Sequence, residues 1–389
     1  MFTADRSSIL DVQSYDLTLD LTRGQETFRS RTEVRFRCRQ PNVATFADLH
    51  ALRINRATLN GANLNPAGER ERRLGLPRLA EENVLVVEAE FAYASADLPG
   101  LHYVTGPFVY SGSHAAPHIY CCFDQPELRA TFTVSVNTPA GWSCLANAPV
   151  IARPPEGHPG TWRFAPTAPV PPWLTSLCAG PLTESGPLTE PGPLTEAALP
   201  ITVRSIPSAA ASLSEEPLNL LHRSLRFYES TLGVPYPYAK CDLVFAPVSP
   251  ALAYSITGLI LIQDEVLNDV TMPLVIAHEV AHAWFGGLVT MPAEHAWLDE
   301  ALTTYISRTA LAEIVPGSTP WATPGLPDDD YATDATAVRQ LEDRIGQPAV
   351  LSGLTSLLRR HAHGQATRDD LVGYWSQASG HDLSGWPAR

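Results

Sequence analysis

The sequence predicts an α+β protein with an antiparallel β-sheet domain over residues 1–199 and a mostly helical domain over residues 200–389. Alternating apolar and polar residues recur through the first half, as in half-buried strands. From Met272 onward the apolar residues recur mainly at helical spacing. A chain of 389 residues of which 44% are hydrophobic is also long enough for two or three globular domains.

Four alternating runs predict the strands of the first domain. Turn-rich stretches separate them, which favours antiparallel pairing between neighbours. The runs are "SYDLTLDLTR", "ETFRSRTEVRFRCR", "ENVLVVEAEFAYA" and "RATFTVSVNTPAGW", at residues 14–23, 26–39, 82–94 and 129–142.

An internal repeat lies near the end of this domain. The segment "GPLTESGPLTEPGPLTE", residues 180–196, holds three copies of a six-residue unit rich in Pro and Gly. The unit is too short to build a solenoid, so we expect an expanded, mobile loop.

The second domain begins with mixed elements. Leu218, Leu221, Leu225 and Tyr228 recur at helical spacing within "EEPLNLLHRSLRFYESTLG". The runs "LPITVRSIP", "KCDLVFAPV" and "TGLILIQDEVL" around this helix predict three strands. Helices are expected to follow to the end of the chain.

Charge and composition exclude some partners. The formal net charge of −14 disfavours nucleic acid and anionic membranes, which require a basic face. The first residues have neither a basic n-region nor an apolar h-region, and no segment approaches the roughly 20 apolar residues of a membrane span. We therefore expect a cytoplasmic protein whose six cysteines remain thiols.

One segment carries metal-binding chemistry. "MPLVIAHEVAHAWF", residues 272–285, has helical periodicity and no helix breaker in its last 12 residues. His278 and His282 are four positions apart and therefore lie on one helical face. In this HExxH pattern two imidazoles hold one Zn²⁺ ion and Glu279 accepts a proton from water. The alternative is a pair of packed structural histidines.

A third protein ligand is expected nearby, because catalytic zinc sites use three protein ligands and keep one position open. The helical pattern "AWLDEALTTYIS" places Glu300 in its first turns. Glu294 and Asp299 compete with it for this role on sequence grounds alone.

These segments together resemble the zinc aminopeptidase family of aminopeptidase N and leukotriene hydrolase, the gluzincin metallopeptidases. "HEVAHAWFGGLVT" followed by "WLDEAL" is similar to the zinc site of that family, and "CCFDQPELRATFTVSV" to its PCFDEP segment. "VQSYDLTLDL", "LRFYESTLGVPYPYAKCDLVFAP" and "YATDATAVRQLEDRIG" resemble further family segments in the family's order. The resemblance covers most of residues 10–380.

The resemblance implies a thermolysin-like catalytic domain after the β domain, with the cleft between them. It implies that His278, His282 and Glu300 bind one Zn²⁺ ion and that Glu279 is the general base. Tyr331 falls on the family tyrosine that donates a hydrogen bond to the tetrahedral oxyanion.

Substrate recognition departs from the family. The register of the GAMEN motif reads "LAYSITGLI" here, so that Ala253, Tyr254 and Ser255 are the expected substrate-binding residues and Ser255 replaces the amine-binding glutamate. The second amine-binding glutamate, upstream of PCFDEP, aligns with Gly112 in "YSG". An ammonium group requires carboxylate partners when it is desolvated. Ordinary aminopeptidase specificity is therefore not expected unless Glu294, His114 or His118 takes over amine binding.

Two further departures concern the surroundings of the site. Between His282 and Glu300 lie 17 residues, one fewer than the family has, and we place the deletion in the loop around Pro292. The chain ends near the end of the family's catalytic domain, so we expect a truncated form without the helical C-terminal domain that covers the site. The open cleft would then be available to a partner or a second copy.

Three functions in different classes follow. The leading one is a zinc-dependent amide hydrolase acting on peptides or peptide-like small molecules, with atypical recognition of the substrate amine. The second is a zinc-binding scaffold without catalysis. The third is a hydrolase of an ester, lactone or epoxide, and the resemblance to leukotriene-hydrolysing relatives implies that such a site can polarise an epoxide oxygen.

Overall fold

The protein divides into two compact units. The computed structural model describes residues 6–65, 72–95, 98–104, 107–112, 115–184, 188–191, 198–248, 251–319, 321 and 330–386. The units are Met1–Leu182 and Thr183–Arg389. The boundary thus lies before the expected residue 199, because strands that follow Leu182 pair within the sheet of the second unit.

The first unit is built from fourteen strands among its described residues. They are β1 (Leu10–Asp20), β2 (Thr27–Cys38), β3 (Thr45–Asp48), β4 (Arg53–Leu59), β5 (Ala62–Asn63), β6 (Arg73–Leu76), β7 (Glu82–Ala92), β8 (Leu101–Val104), β9 (Phe108–Ser111), β10 (Thr131–Thr138), β11 (Ser143–Ala146), β12 (Val150–Ala152), β13 (Gly160–Phe164) and β14 (Leu177–Gly180). They form an eight-stranded sheet in the order β12-β13-β10-β1-β2-β7-β4-β5, a four-stranded sheet β11-β14-β9-β8 and the pair β3-β6.

The period-two pattern explains the large sheet. In β2 every second side chain is buried, including Phe28, Val34 and Phe36, while charged residues alternate with them. Such a strand has one face in the core and one in solvent. The pairings of β2 with β1 and β7 are antiparallel, whereas β1 and β10 are parallel. The parallel pair departs from the all-antiparallel expectation, because β10 returns to β1 through a long connection rather than a hairpin.

The second unit combines a six-stranded sheet and a separate two-stranded pair, β21-β22, with six α-helices among its described residues. Its strands are β15 (Thr183–Glu184), β16 (Leu188–Pro191), β17 (Ala198–Ser205), β18 (Cys241–Ala246), β19 (Ala253–Ile256), β20 (Leu259–Gln263), β21 (Val289–Thr290) and β22 (Gly364–Gln365). Its helices are α1 (Glu216–Leu232), α2 (Met272–Ala281), α3 (Trp297–Ile314), α4 (Asp330–Ile345), α5 (Gln347–Arg360) and α6 (Arg368–Ser379). The α+β class expected from the sequence is confirmed.

The six-stranded sheet has a parallel centre with antiparallel strands on both sides, β15 and β16 next to β17 and β19 next to β20. Strands β17, β18 and β20 are parallel neighbours, and β19 pairs with β20 in the antiparallel sense. Helix α1 packs its apolar stripe, which includes Leu221, Leu225 and Tyr228, into the core that also holds Trp284. It ends at Leu232, and the capping residue Gly233 has a φ of 61°, in the left-handed region that favours glycine.

The repeat at residues 180–196 does not form a loop throughout. Strands β15 and β16 lie within it, and both pair with β17 in the antiparallel sense. Pairing partners in β17 therefore decide the conformation of these residues, which the local composition did not indicate. Residues 185–187 and 192–197 of the repeat lie outside the described residues.

Two further expectations can be compared with the structure. All six cysteines are free and have buried side chains, in line with the expectation that they remain thiols. Among the helices that the structure describes, none has the length and apolar content that crossing a bilayer requires.

Candidate metal centre

Helix α2 carries the two histidines. Residues Leu274 to Ala281 are all buried, so this part of the helix lies inside the core, with His278 and Glu279 as polar residues among apolar ones. The helix ends at Ala281, and His282 is its C-cap, although the sequence pattern predicted a helix through Phe285. Gly286, with a φ of 87°, follows the end of the helix and adopts a conformation that other residues rarely take.

Helix α3 brings the third group to the histidines. Glu300 is in the first turn of α3. Its Oε2 lies 3.4 Å from Nε2 of His278, and its Oε1 lies 3.5 Å from Nε2 of His282. One ligand atom from each of these three residues lies within 4.8 Å of the other two. The structure therefore gathers the predicted ligands at one point.

This donor set fits a zinc ion. Two ligand atoms that are each about 2.1 Å from a tetrahedral ion lie about 3.4 Å apart, which matches the distances from Glu300 to the two imidazoles. Two imidazoles and one carboxylate are a known ligand set of catalytic zinc sites and leave a fourth position for water or substrate. The two imidazoles favour zinc over manganese, which prefers carboxylate and water ligands.

Groups outside the ligand set orient His282. Its Nδ1 lies 3.2 Å from the carbonyl oxygen of Phe285 and 3.3 Å from Oγ1 of Thr303. The carbonyl oxygen only accepts, so Nδ1 carries the proton of that hydrogen bond and Nε2 keeps its lone pair for a metal. Thr303 was not identified from the sequence. Its position one turn after Glu300 on the same helix face was the available signal.

Glu279 is buried next to these groups. Burial raises the pKa of Glu279 from 4.5 to about 7; the nearby His282 lowers that pKa and Glu300 raises it. Burial also acts to raise the pKa of Glu300, but His282 and His278 outweigh it and lower the pKa to about 2. The pKa values of two carboxyl groups in one site are thus shifted in opposite directions.

The competing acidic residues lie elsewhere. Glu294 is exposed in the turn before α3. Oδ2 of Asp299 accepts a hydrogen bond of 3.3 Å from the Met291 amide, so this side chain holds the loop that leads into α3. Neither residue belongs to the cluster of candidate ligands found among the described residues.

The expected substrate residues Ala253, Tyr254 and Ser255 lie on β19, the outer strand next to β20. The Ser255 hydroxyl donates a hydrogen bond of 2.7 Å to the backbone carbonyl oxygen of Glu279. This contact joins β19 to the helix that carries the histidines. It was not predicted, because the two residues are 24 positions apart and no local pattern links them.

The remaining expected residues are placed as follows. Gly112 lies in the first unit, directly after β9, and its amide donates to the carbonyl oxygen of Gly100. Tyr331 is the second residue of α4, and its side chain lies outside the described residues. Of the two alternative amine-binding histidines, His114 lies outside the described residues, and Nε2 of His118 lies 2.6 Å from Nδ1 of His50 in the first unit.

Comparison with known proteins agrees with this arrangement. The family model described as "Peptidase family M1 domain" matches residues 216–333, and the model described as "Peptidase M1 N-terminal domain" matches residues 111–174. Aminopeptidase N of Streptomyces lividans is 30% identical over an alignment that covers 98% of this chain and 50% of that protein.

Other relatives show similar coverage. Aminopeptidase N of Lactococcus lactis is 26% identical over 96% of this chain and 50% of its own length. Leucyl aminopeptidase of Saccharolobus solfataricus is 22% identical over 97% of this chain and 52% of its own length. The chain spans about half the length of these curated relatives. With both family domains in order and the ligand cluster formed within the matched residues, the chain belongs to the M1 peptidase family, the zinc aminopeptidase family of aminopeptidase N.

Proposed function

We propose that this chain is a zinc-dependent metallopeptidase that hydrolyses amide bonds of peptides or peptide-like small molecules. One observation carries the proposal. His278, His282 and Glu300 converge on one point, and the buried Glu279 lies beside His278 on α2. A packed structural histidine pair would not require a converging carboxylate and a second, buried one.

The proposed roles follow from these positions. His278, His282 and Glu300 would hold the metal, and a zinc ion there would supply Lewis-acid polarisation of the reacting oxygen atoms. The Glu279 carboxylate would accept a proton from the attacking water and pass it to the nitrogen of the leaving amine. Without the metal, burial raises the pKa of Glu279 to about 7, and a zinc ion beside it would lower that pKa and favour the carboxylate that accepts the proton.

Tyr331 is proposed as the hydrogen-bond donor to the oxyanion that forms when water adds to the amide carbonyl. Support for this role comes from its register before "LEDRIG" and from its place at the start of α4. A preorganised donor of this kind contributes about 3 to 4 kcal/mol to the stability of a transition state.

Recognition of the substrate amine is proposed to differ from that of the family. Ser255 is uncharged, and its hydroxyl proton is directed to the carbonyl oxygen of Glu279. Gly112 has no side chain at the second amine-binding position. A substrate ammonium would therefore lack both carboxylates that the family uses, and the loss of its hydration would not be compensated. We propose that blocked N-termini, internal peptide bonds or acylated small molecules are accepted.

The test is hydrolysis of a peptide panel followed by mass spectrometry, with each peptide supplied with a free and with an acetylated N-terminus. Glu279→Gln is the control, because it keeps the side-chain size and the zinc ligands but cannot accept the proton. We expect cleavage of the acetylated peptides, and a loss of kcat by about 10² to 10⁴ in the variant.

Other results would change the proposal in defined ways. Removal of residues from free N-termini only would mean that other groups bind the amine and that amine recognition is of the ordinary kind. Cleavage of esters or epoxides without cleavage of any peptide would favour a hydrolase of another bond. No cleavage by a zinc-loaded protein would favour the scaffold.

A further inference from the structure

The C-terminal end of α2 has a backbone carbonyl that the helix itself does not satisfy. In a regular helix the amide of Ala283 would donate to the carbonyl oxygen of Glu279. Here the Ala283 amide donates to Val280 instead, at 3.1 Å, because the chain tightens as the helix ends. The Ser255 hydroxyl takes its place at 2.7 Å. A side chain of β19 therefore provides the missing donor for the residue that carries the buried carboxyl group.

We infer that Ser255 is a positioning residue, which fixes the last turn of α2 and thereby the Glu279 and His282 side chains. Both side chains leave the backbone within the turn that this hydrogen bond anchors. Without the donor, a backbone carbonyl in a partly buried position would lose its partner, and the turn would relax to regain one. The position aligned with the family's amine-binding glutamate thus serves the geometry of the metal centre.

A second hydroxyl group that donates to a backbone carbonyl of α2 provides a comparison. The buried Tyr228 of α1 donates a hydrogen bond of 2.7 Å to the carbonyl oxygen of Ala277. Ala277 is inside the helix, where the regular pattern already provides a donor. Removal of the Tyr228 hydroxyl should therefore weaken packing between α1 and α2 without releasing the end of α2. This difference separates a positioning role of Ser255 from general stabilisation.

The inference rests on the proposed function in that His278, His282 and Glu300 are taken to hold zinc. The experiment measures release of zinc from the zinc-loaded full chain to a chromophoric chelator. It compares Ser255→Thr, which keeps the hydroxyl and adds a methyl group, with Ser255→Val. Valine has the shape of threonine but carries a methyl group in place of the hydroxyl. Ser255→Ala and Tyr228→Phe are measured beside them, and kcat and KM are determined for any peptide that the wild type cleaves.

The Val and Ala variants are expected to release zinc about tenfold faster than the wild type, as for loss of an orienting group beside a metal ligand. Their kcat should fall by about tenfold with KM changed less than twofold. Zinc release from the Thr variant should stay within about twofold of that from the wild type, and so should zinc release from Tyr228→Phe even if the melting temperature of that variant falls.

Equal behaviour of the Thr and Val variants would overturn the inference, and so would faster zinc release in Tyr228→Phe than in Ser255→Val. Zinc release requires no substrate. A wild type that binds zinc but cleaves no peptide would contradict the proposed function, and the zinc-release measurement would still test the role of Ser255. A Ser255→Ala variant that does not fold would not affect the comparison of Thr with Val.

Discussion

Glu279 and Glu300 give the metal centre opposite responses to pH. The folded pKa of Glu279, about 7, lies above its ordinary value of 4.5, so the folded state binds this proton more tightly than the unfolded state. In the metal-free protein its contribution to stability is therefore full below pH 4.5 and is lost as the pH rises through 7. The folded pKa of Glu300, about 2, lies below 4.5. Its contribution is full above pH 4.5 and is lost as the pH falls towards 2.

This difference predicts that metal-free Glu279→Gln is more stable than the metal-free wild type at pH 8. The expected gain in the free energy of unfolding is about 2 kcal/mol, because the substitution removes a buried charge. Urea denaturation at pH 8 and pH 4.5 measures it, and the gain should disappear at pH 4.5. Glu300→Gln is the control and should be less stable than the wild type at pH 8. A loss of stability in Glu279→Gln at pH 8 would contradict the interpretation that burial raises the pKa of Glu279.

Ser255 also permits a test of amine recognition in the gain direction. Ser255→Glu places a carboxylate on β19 at the position of the family's amine-binding glutamate, and Ser255→Gln places an uncharged group of the same shape there. We expect the ratio of kcat/KM for free over acetylated peptides to be about tenfold higher in the Glu variant than in the Gln variant, since a charged hydrogen bond to an ammonium is strong. Equal ratios would mean that this position does not face the substrate amine.

Among the elements, the turn after α2 determines whether His282 can face Glu300. Gly287 is packed so closely that an added Cβ would lie 2.6 Å from the hydroxyl oxygen of Tyr238, 2.7 Å from the carbonyl oxygen of His282 and 2.8 Å from that of Ala283. Two of these three atoms belong to the backbone of the turn. They cannot move unless the segment that carries a metal ligand moves with them.

Gly287→Ala is therefore expected to lower the free energy of unfolding by about 2 to 3 kcal/mol and to weaken zinc binding. The matched control is Gly373→Ala in α6, where an added Cβ would meet no atom within 4 Å. That control should be neutral or stabilising by up to about 1 kcal/mol, because alanine favours helix. Thermal unfolding and zinc titration of both variants provide the comparison. Equal stability of the two variants would contradict the close packing of the turn.

At the scale of the whole molecule, all three candidate ligands lie in the second unit, Thr183–Arg389. Zinc binding should therefore stabilise this unit and leave the first unit unchanged, because a ligand stabilises only the part that it binds when folded. Calorimetry of the whole chain with zinc and with a chelator should show one transition that shifts and one that does not. At free zinc 1,000-fold above its Kd, the expected stabilisation is about 4 kcal/mol. A shift of both transitions by the same amount would mean that the units unfold together.

Much of this molecule was predictable because its signals are local in the sequence. The period-two alternation of β1, β2 and β7 fixes which face each strand buries. The spacing of His278 and His282 fixes that they share a helix face. These properties depend only on the geometry of a strand or a helix, so that a short window of sequence contains them.

Other features depended on residues far apart in the chain. The pairing of β15 and β16 with β17 moved the boundary of the second unit to Thr183. The sequence alone left Glu294, Asp299 and Glu300 as candidates for the third ligand, and the family resemblance selected Glu300. The structure gathers Glu300 with the two histidines, because the loop before α3 ends with the first turn of that helix facing α2.

The sequence by itself determined the long strands β1, β2, β7 and β10, the helical segments that carry the three candidate ligands, the HExxH pair and the family. Only the tertiary structure decided how strongly Glu279 is buried, which groups hold His282, and that Ser255 donates to the end of α2. The physical reason is the same in each case. Burial and hydrogen bonding between distant segments arise from the packing of many elements at once, and no single window of sequence specifies that packing.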